Sequence, residues 1–175
     1  MGEAPSQDVA ILLRLAKADP LVSLVDLATA VALIAAQVQQ SLRRAAESSL
    51  VRLGPHRGRL PQQKDLNRLA LLKLVLHGVR CVYPARLGTE TRGLPTFGKF
   101  TPTTYAPGAL QPVWPDPLGD VRGFELRPLY PQAPRAARID PEFHRVLACV
   151  DALRVGQARE RQWAAQELEA WLNPR

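Results

Sequence analysis

DLATAVALIAAQVQQSLRRAAESSLV, residues 26–51 of the chain, predicts two helices joined by a tight turn. Ser23 and Asp26 have the spacing of a capping box, in which two side chains satisfy free backbone N–H groups at the start of a helix. We therefore expect one helix over residues 24–31 and a second over residues 35–49.

The second helix has two chemically different sides. Val38 and Leu42 are apolar residues at helical spacing and are expected to pack inward. The outward side carries small, amide and guanidinium side chains: Ala35, Ala36, Gln39, Gln40, Arg43 and Arg44. Glutamine can bond the major-groove edge of adenine, and arginine can bond guanine or phosphate. No acidic residue interrupts this side before Glu47, so the helix predicts contact with double-stranded DNA.

Positive charge is concentrated in and just after this helix. The chain has a formal net charge of +7 and a pI of about 10.1. Residues 43–73 hold eight basic and two acidic residues, whereas residues 139–175 hold five basic and six acidic ones. A local excess of this kind favours a polyanion, which means nucleic acid or an anionic surface.

A basic loop follows the second helix and contains Arg52, Arg57 and Arg59. Residues 50–53 and 59–60 are the arms of a possible short hairpin. A loop without a hairpin would present the same charge. In both alternatives the three arginines are expected to contact DNA phosphates.

This pattern resembles the helix-turn-helix of winged-helix DNA-binding regulators, in particular those of the MarR and IclR types. The resemblance rests on positions in and around the turn: Leu27, Ala28, Val31, Leu33, Val38, Leu42, Leu50 and Val51. It implies that residues 35–49 form a recognition helix for the major groove. Two positions depart from the pattern: Ala32 stands where such turns have glycine, and Ile34 where Ser or Thr would cap the helix.

Composition divides the chain into three regions. We expect a helix-turn-helix DNA-binding domain over 1–80, a Pro-rich, partly β segment over 81–140, and a helical hairpin over 141–175. The middle region holds ten of the sixteen prolines, which excludes long helices there. Two of its stretches, 78–96 and 112–123, resemble parts of uncharacterised bacterial helix-turn-helix proteins. The expected fold is mainly α, with a winged-helix-like domain at its start.

Further elements are expected outside the helix-turn-helix. Ser6 is placed to cap a helix that lies before the helix-turn-helix. Residues 62–77 predict a helix that lies after it. Residues 79–83 and 121–126 have the patterns of strands.

The C-terminal hairpin begins at Asp140 and Pro141, which predict a helix cap and a first helical position, and Gly156 separates its two helices. The second helix carries an apolar stripe: Trp163, Ala164, Leu168, Trp171 and Leu172. We expect this stripe to supply a two-fold interface between copies or a surface for a protein partner. The alternative is that it packs on the Pro-rich segment.

Catalytic and metal-binding chemistry is not expected. The three histidines, His56, His77 and His144, lack the spacing of a metal site or of a base–nucleophile pair. Cys81 and Cys149 have no CxxC spacing and lie in apolar surroundings, which predicts buried, reduced thiols. The first residues lack the pattern of a secretory signal, and no apolar run has the length of a membrane span.

These features together predict a cytoplasmic, homodimeric transcriptional regulator that binds double-stranded DNA and has no cofactor, metal, membrane association or enzymatic activity. One alternative is an antitoxin-like protein that neutralises a partner protein through its C-terminal half and represses its own promoter. Another is an adaptor that uses the same charge to bind RNA or an anionic surface.

Overall fold

A computed structural model describes residues 5–20, 22–52, 60–102 and 108–173. Helices predominate in these ranges: α1 (Gln7–Leu15), α2 (Leu24–Ala30), α3 (Ala35–Glu47), α4 (Arg68–Lys73), α5 (Val79–Val82), α6 (Ala133–Ile139), α7 (Pro141–Val155) and α8 (Ala158–Leu172). The strands are β1 (Leu87–Pro95), β2 (Gln111–Pro115) and β3 (Val121–Leu126).

Helices α1, α2 and α3 pack together at the start of the chain. The capping box of α2 is confirmed: the Asp26 N–H donates to Ser23 Oγ at 3.1 Å, and the Ser23 N–H donates to Asp26 Oδ2 at 3.2 Å. Ser6 does occupy the N-cap position of α1, but its hydroxyl donates to the Leu129 carbonyl and does not cap the helix. This contact ties the start of α1 to the segment before α6.

The helix predicted over 62–77 is broken up in the structure. A 3-10 turn (Gln63–Asp65) precedes α4, and a π-helical turn (Leu74–Gly78) connects α4 to α5. The strand predicted over 79–83 is wrong, because these residues continue the helix. Val75 and Val79 are both buried one helical turn apart, so tertiary packing overrides the β preference of valine. Cys81 is exposed on α5, which corrects its expected burial.

The Pro-rich region forms a small sheet that closes on itself. Strand β3 is confirmed, whereas β1 and β2 lie in stretches for which no strand was predicted. Strand β1 is antiparallel to both other strands, and β2 is parallel to β3. A Cβ at Gly93 would lie 2.1 Å from the Trp114 carbonyl oxygen, and a Cβ at Gly123 2.0 Å from that of Gln111. Glycine at these positions therefore allows the strands to approach closely enough to close the sheet.

A buried ion pair fastens the sheet to α7. Arg154 Nη1 donates to Asp151 Oδ1 at 2.6 Å, and Trp114 Nε1 of β2 donates to Asp151 Oδ2 at 2.5 Å. The Arg154 guanidinium also donates to the carbonyl oxygens of Tyr83 and Arg127. Each charged group thus has hydrogen-bonding partners that offset its removal from water.

The start of α7 is confirmed, since the Asp140 carboxylate accepts from the N–H groups of Glu142 and Phe143 at 3.0 and 3.1 Å. Most of the apolar stripe on α8 is buried within the chain, whereas its predicted role as an interface stays a prediction. Leu168 and Leu172 are fully buried within the single chain, and Trp163 is 8% exposed.

Helix α8 packs on α7 and α4. Trp171 Nε1 donates to the Leu13 carbonyl at 2.8 Å, and Arg68 Nη1 donates to the Leu172 carbonyl at 2.8 Å. One continuous hydrophobic core therefore joins residues from all three predicted regions.

Candidate nucleic-acid interface

The connection between α2 and α3 is a four-residue turn between two helices that lie at a large angle to each other. The two helices are bent by 98° with respect to each other across the four residues 31–34. Helix-turn-helix pairs cross at about 90–120° through turns of three or four residues. The Leu33 N–H donates to the Ala28 carbonyl at 2.9 Å, and the Tyr130 hydroxyl donates to the Val31 carbonyl at 3.0 Å. The turn is therefore fixed both locally and from the segment before α6.

The structure shows how the chain accommodates Ala32 and Ile34, the two residues that depart from the motif. Ala32 has φ 54°, so it adopts the left-handed conformation for which glycine is the usual residue. Ile34 is the N-cap residue of α3 and cannot cap with its side chain. Its backbone N–H instead donates to Gln37 Oε1 at 3.3 Å, which is one half of a capping box.

The inner side of α3 is held against α1 and α2. Val38, Leu42 and Ala45 are buried there. Arg44 forms a bidentate pair with Asp8 of α1, in which Nε and Nη2 donate to the carboxylate oxygens at 2.8 and 2.7 Å. Arg44 was predicted on the DNA-facing side, and the structure corrects this: its guanidinium is turned towards α1. The pair fixes the position of α3.

The outer side of α3 presents four of the predicted residues to solvent: Ala36, Gln39, Gln40 and Arg43, here called the recognition face. Ala35 is half-buried and packs against the core, so it does not belong to this face. Within the described parts of the chain, no hydrogen bond or ion pair engages the side chains of Gln39, Gln40 or Arg43. These three groups are therefore free to bond a ligand.

The chain after α3 makes a short β contact. Val51 forms an antiparallel bridge with Leu66, and the Arg52 N–H donates to the Asp65 carbonyl at 2.8 Å. Residues 50–52 thus pair with 65–67, whereas the predicted arms 50–53 and 59–60 lie partly outside the described residues. Arg52 is exposed at this contact, whereas Arg57 and Arg59 lie outside the described residues.

One residue that bears on the site was missed in the sequence, and a second, Ile34, was named there only as a departure from the motif. Asp8 gave no signal because it lies 36 positions from Arg44. Ile34 did have one: it is apolar and directly precedes a helix whose inward positions begin at Val38. Its side chain is 65% exposed.

Metal binding has no support in the described residues. They contain no group of three His, Cys, Asp or Glu side chains arranged to hold a metal ion. His144 is buried and donates from Nε2 to the Pro95 carbonyl at 2.8 Å. Burial raises the pKa of the Cys149 thiol, which disfavours the nucleophilic thiolate.

No single helix in the described ranges is long and apolar enough to cross a membrane, and the pair α2–α3 meets that length and composition only when its two bent halves are taken together. No family model matches the chain, and neither does any curated protein or solved structure.

Proposed function

We propose that the chain is a sequence-specific, double-stranded DNA-binding transcriptional regulator that acts in the cytoplasm and inserts α3 into the major groove. The observation that carries the proposal is the contrast between the two sides of α3. One side is anchored by Val38, Leu42 and the Asp8–Arg44 pair. The other presents amide and guanidinium groups that have no partner in the described residues.

The chemistry of the recognition face suits base edges. Gln39 and Gln40 each offer a donor and an acceptor in the geometry that adenine N6 and N7 require. Arg43 suits guanine or a phosphate. Rigid attachment of α3 matters because hydrogen-bonded discrimination depends on a fixed distance to the bases.

The basic loop supports the same proposal. Residues 50–52 pair with 65–67, so the two ends of the segment 53–64 lie close together, as the ends of a wing would. Arg52 sits at its base, and the sequence places Arg57 and Arg59 within it. We propose that these arginines contact phosphates next to the groove.

A homodimer is part of the proposal, since two copies would place two recognition helices on half-sites about 34–36 Å apart. The proposed dimer interface lies outside the α7–α8 hairpin, because most of the apolar stripe on α8 is already buried within the chain.

The test is selection of bound duplexes from a random pool at physiological salt, followed by titration. We expect one enriched sequence, bound at least about 1,000-fold more tightly than random DNA. Gln39→Ala and Gln40→Ala should each weaken that complex by about 1–3 kcal/mol and leave binding to random DNA nearly unchanged. Gln166→Ala is the matched control, an exposed glutamine on α8. Absence of an enriched sequence would refute the proposal.

A further inference from the structure

Ile34 is an unusual residue for its position. It is the N-cap of α3, where the favoured residues are those whose side chains accept a hydrogen bond from the helix. Its side chain does not cap the helix, and at 65% exposure it contributes little to the core. Its side chain is therefore available for a contact made outside the free protein.

The position of Ile34 limits what that contact can be. The residue directly precedes α3 and lies two positions before Ala36, the first residue of the recognition face. In helix-turn-helix proteins the N-terminal residues of the recognition helix contact the base edges. The exposed apolar group that the major groove presents to a protein is the 5-methyl group of thymine.

Resting on the proposed function, we propose that Ile34 contacts a thymine 5-methyl group and thereby selects T at one position of each half-site. The contact deepens the role of the recognition face, since Gln39 and Gln40 favour adenine. Both preferences are met by A·T base pairs, so the bound half-site contains A·T pairs at the α3 N-terminus. Burial of one methyl group corresponds to about a fourfold change in affinity.

The experiment removes the methyl group from the DNA and the side chain from the protein in turn. Each thymine of the selected duplex is replaced singly by deoxyuridine, which keeps the pairing edge and lacks the 5-methyl group. Dissociation constants are measured for the full chain, for Ile34→Ala and for Val25→Ala. Alanine is as poor an N-cap as isoleucine, so Ile34→Ala leaves helix capping unchanged. Val25 is the matched control, equally 65% exposed but on α2.

At one thymine per half-site, replacement by deoxyuridine should weaken DNA binding by the unmodified protein about fourfold. The same replacement should have no effect on Ile34→Ala and an undiminished effect on Val25→Ala. The inference is overturned if no thymine is sensitive, if the selected half-site contains none, or if Ile34→Ala remains as sensitive as the unmodified protein. If the inference about Ile34 fails but an enriched duplex still depends on Gln39 or Gln40, the proposed function stands. If no duplex is enriched, both the inference and the proposed function fail.

Discussion

Ala32 is the residue at which the turn between α2 and α3 is least favourable. Its φ of 54° lies in the left-handed region, where a Cβ is crowded by the following carbonyl oxygen. The position requires this conformation because the chain must change direction by 98° within four residues. The strain is therefore inherent in the motif, and alanine increases it.

Ala32→Gly should raise the free energy of unfolding by up to about 1 kcal/mol. Relief of the left-handed conformation contributes about 1–2 kcal/mol, and the greater freedom of glycine in the unfolded chain offsets part of it. Urea denaturation measures the change. Ala46→Gly, within the regular part of α3, should instead lower stability by about 1 kcal/mol. If Ala32→Gly and Ala46→Gly lower the free energy of unfolding by similar amounts, the turn is not strained.

A substitution at Arg52 tests the proposed contact of this side chain with a DNA phosphate. Arg52→Gln should reduce the slope of log affinity against log salt by about 0.9, because one phosphate contact and its released counterion are lost. Arg159→Gln, an exposed arginine on α8, should leave the slope unchanged. An unaltered slope for Arg52→Gln would mean that Arg52 does not contact the DNA.

At the scale of elements, the Asp8–Arg44 pair joins α1 to α3. The Asp8 side chain is 10% exposed and the Arg44 side chain 26%, so solvent screens this pair only partly. Arg122 and Glu90 in the sheet are as close, at 2.6 Å, but their side chains are 71% and 43% exposed. Burial, not distance, should therefore decide which pair stabilises the protein.

A double-mutant cycle with Asp8→Asn and Arg44→Gln should give a coupling free energy of about 1–2 kcal/mol in the free energy of unfolding. The corresponding cycle with Glu90→Gln and Arg122→Gln should give less than about 1 kcal/mol. Equal couplings would show that the helices are not joined by this pair. Both single variants at Asp8 and Arg44 should also weaken DNA binding, since α3 loses its fixed position.

Local sequence signals predicted those elements whose ends are marked by side chains. The Ser23–Asp26 box, the Asp140 cap and the alternation in β3 each act over a few residues, so their chemistry is visible in the sequence. The Arg44–Asp8 pair was not predictable, because it depends on how α1 lies across α3. The closed sheet was missed because Gly93 weakens the strand pattern of β1 while permitting this particular strand approach.

At the scale of the whole molecule, His144 makes stability depend on pH. Burial lowers its pKa to about 4, with a smaller contribution from Lys99, while the hydrogen bond to Pro95 opposes the shift. The unfolded chain takes up a proton near pH 6.5. Between these two values the unfolded state binds more protons than the folded state, so stability falls as the pH falls.

Between pH 7.5 and pH 5, His144 should account for a loss of about 2 kcal/mol in the free energy of unfolding. In His144→Gln the loss over this interval should be smaller by that amount. His77→Gln, which alters an exposed histidine, should show the same loss as the unmodified protein. Denaturant unfolding at the two pH values measures all three. Identical pH dependence in His144→Gln and the unmodified protein would contradict the prediction.

The contact between Trp171 and the Leu13 carbonyl has a consequence for synthesis on the ribosome. The two residues are 158 positions apart, and Arg68 bonds Leu172 across 104 positions. The N-terminal helices therefore cannot complete their packing until α8 has left the ribosomal exit tunnel. A nascent chain that already contains all of α3 still lacks the contacts that α8 makes with α1 and α4. DNA-binding competence should thus arise late and abruptly during translation, and a transplanted N-terminal half should not inherit it.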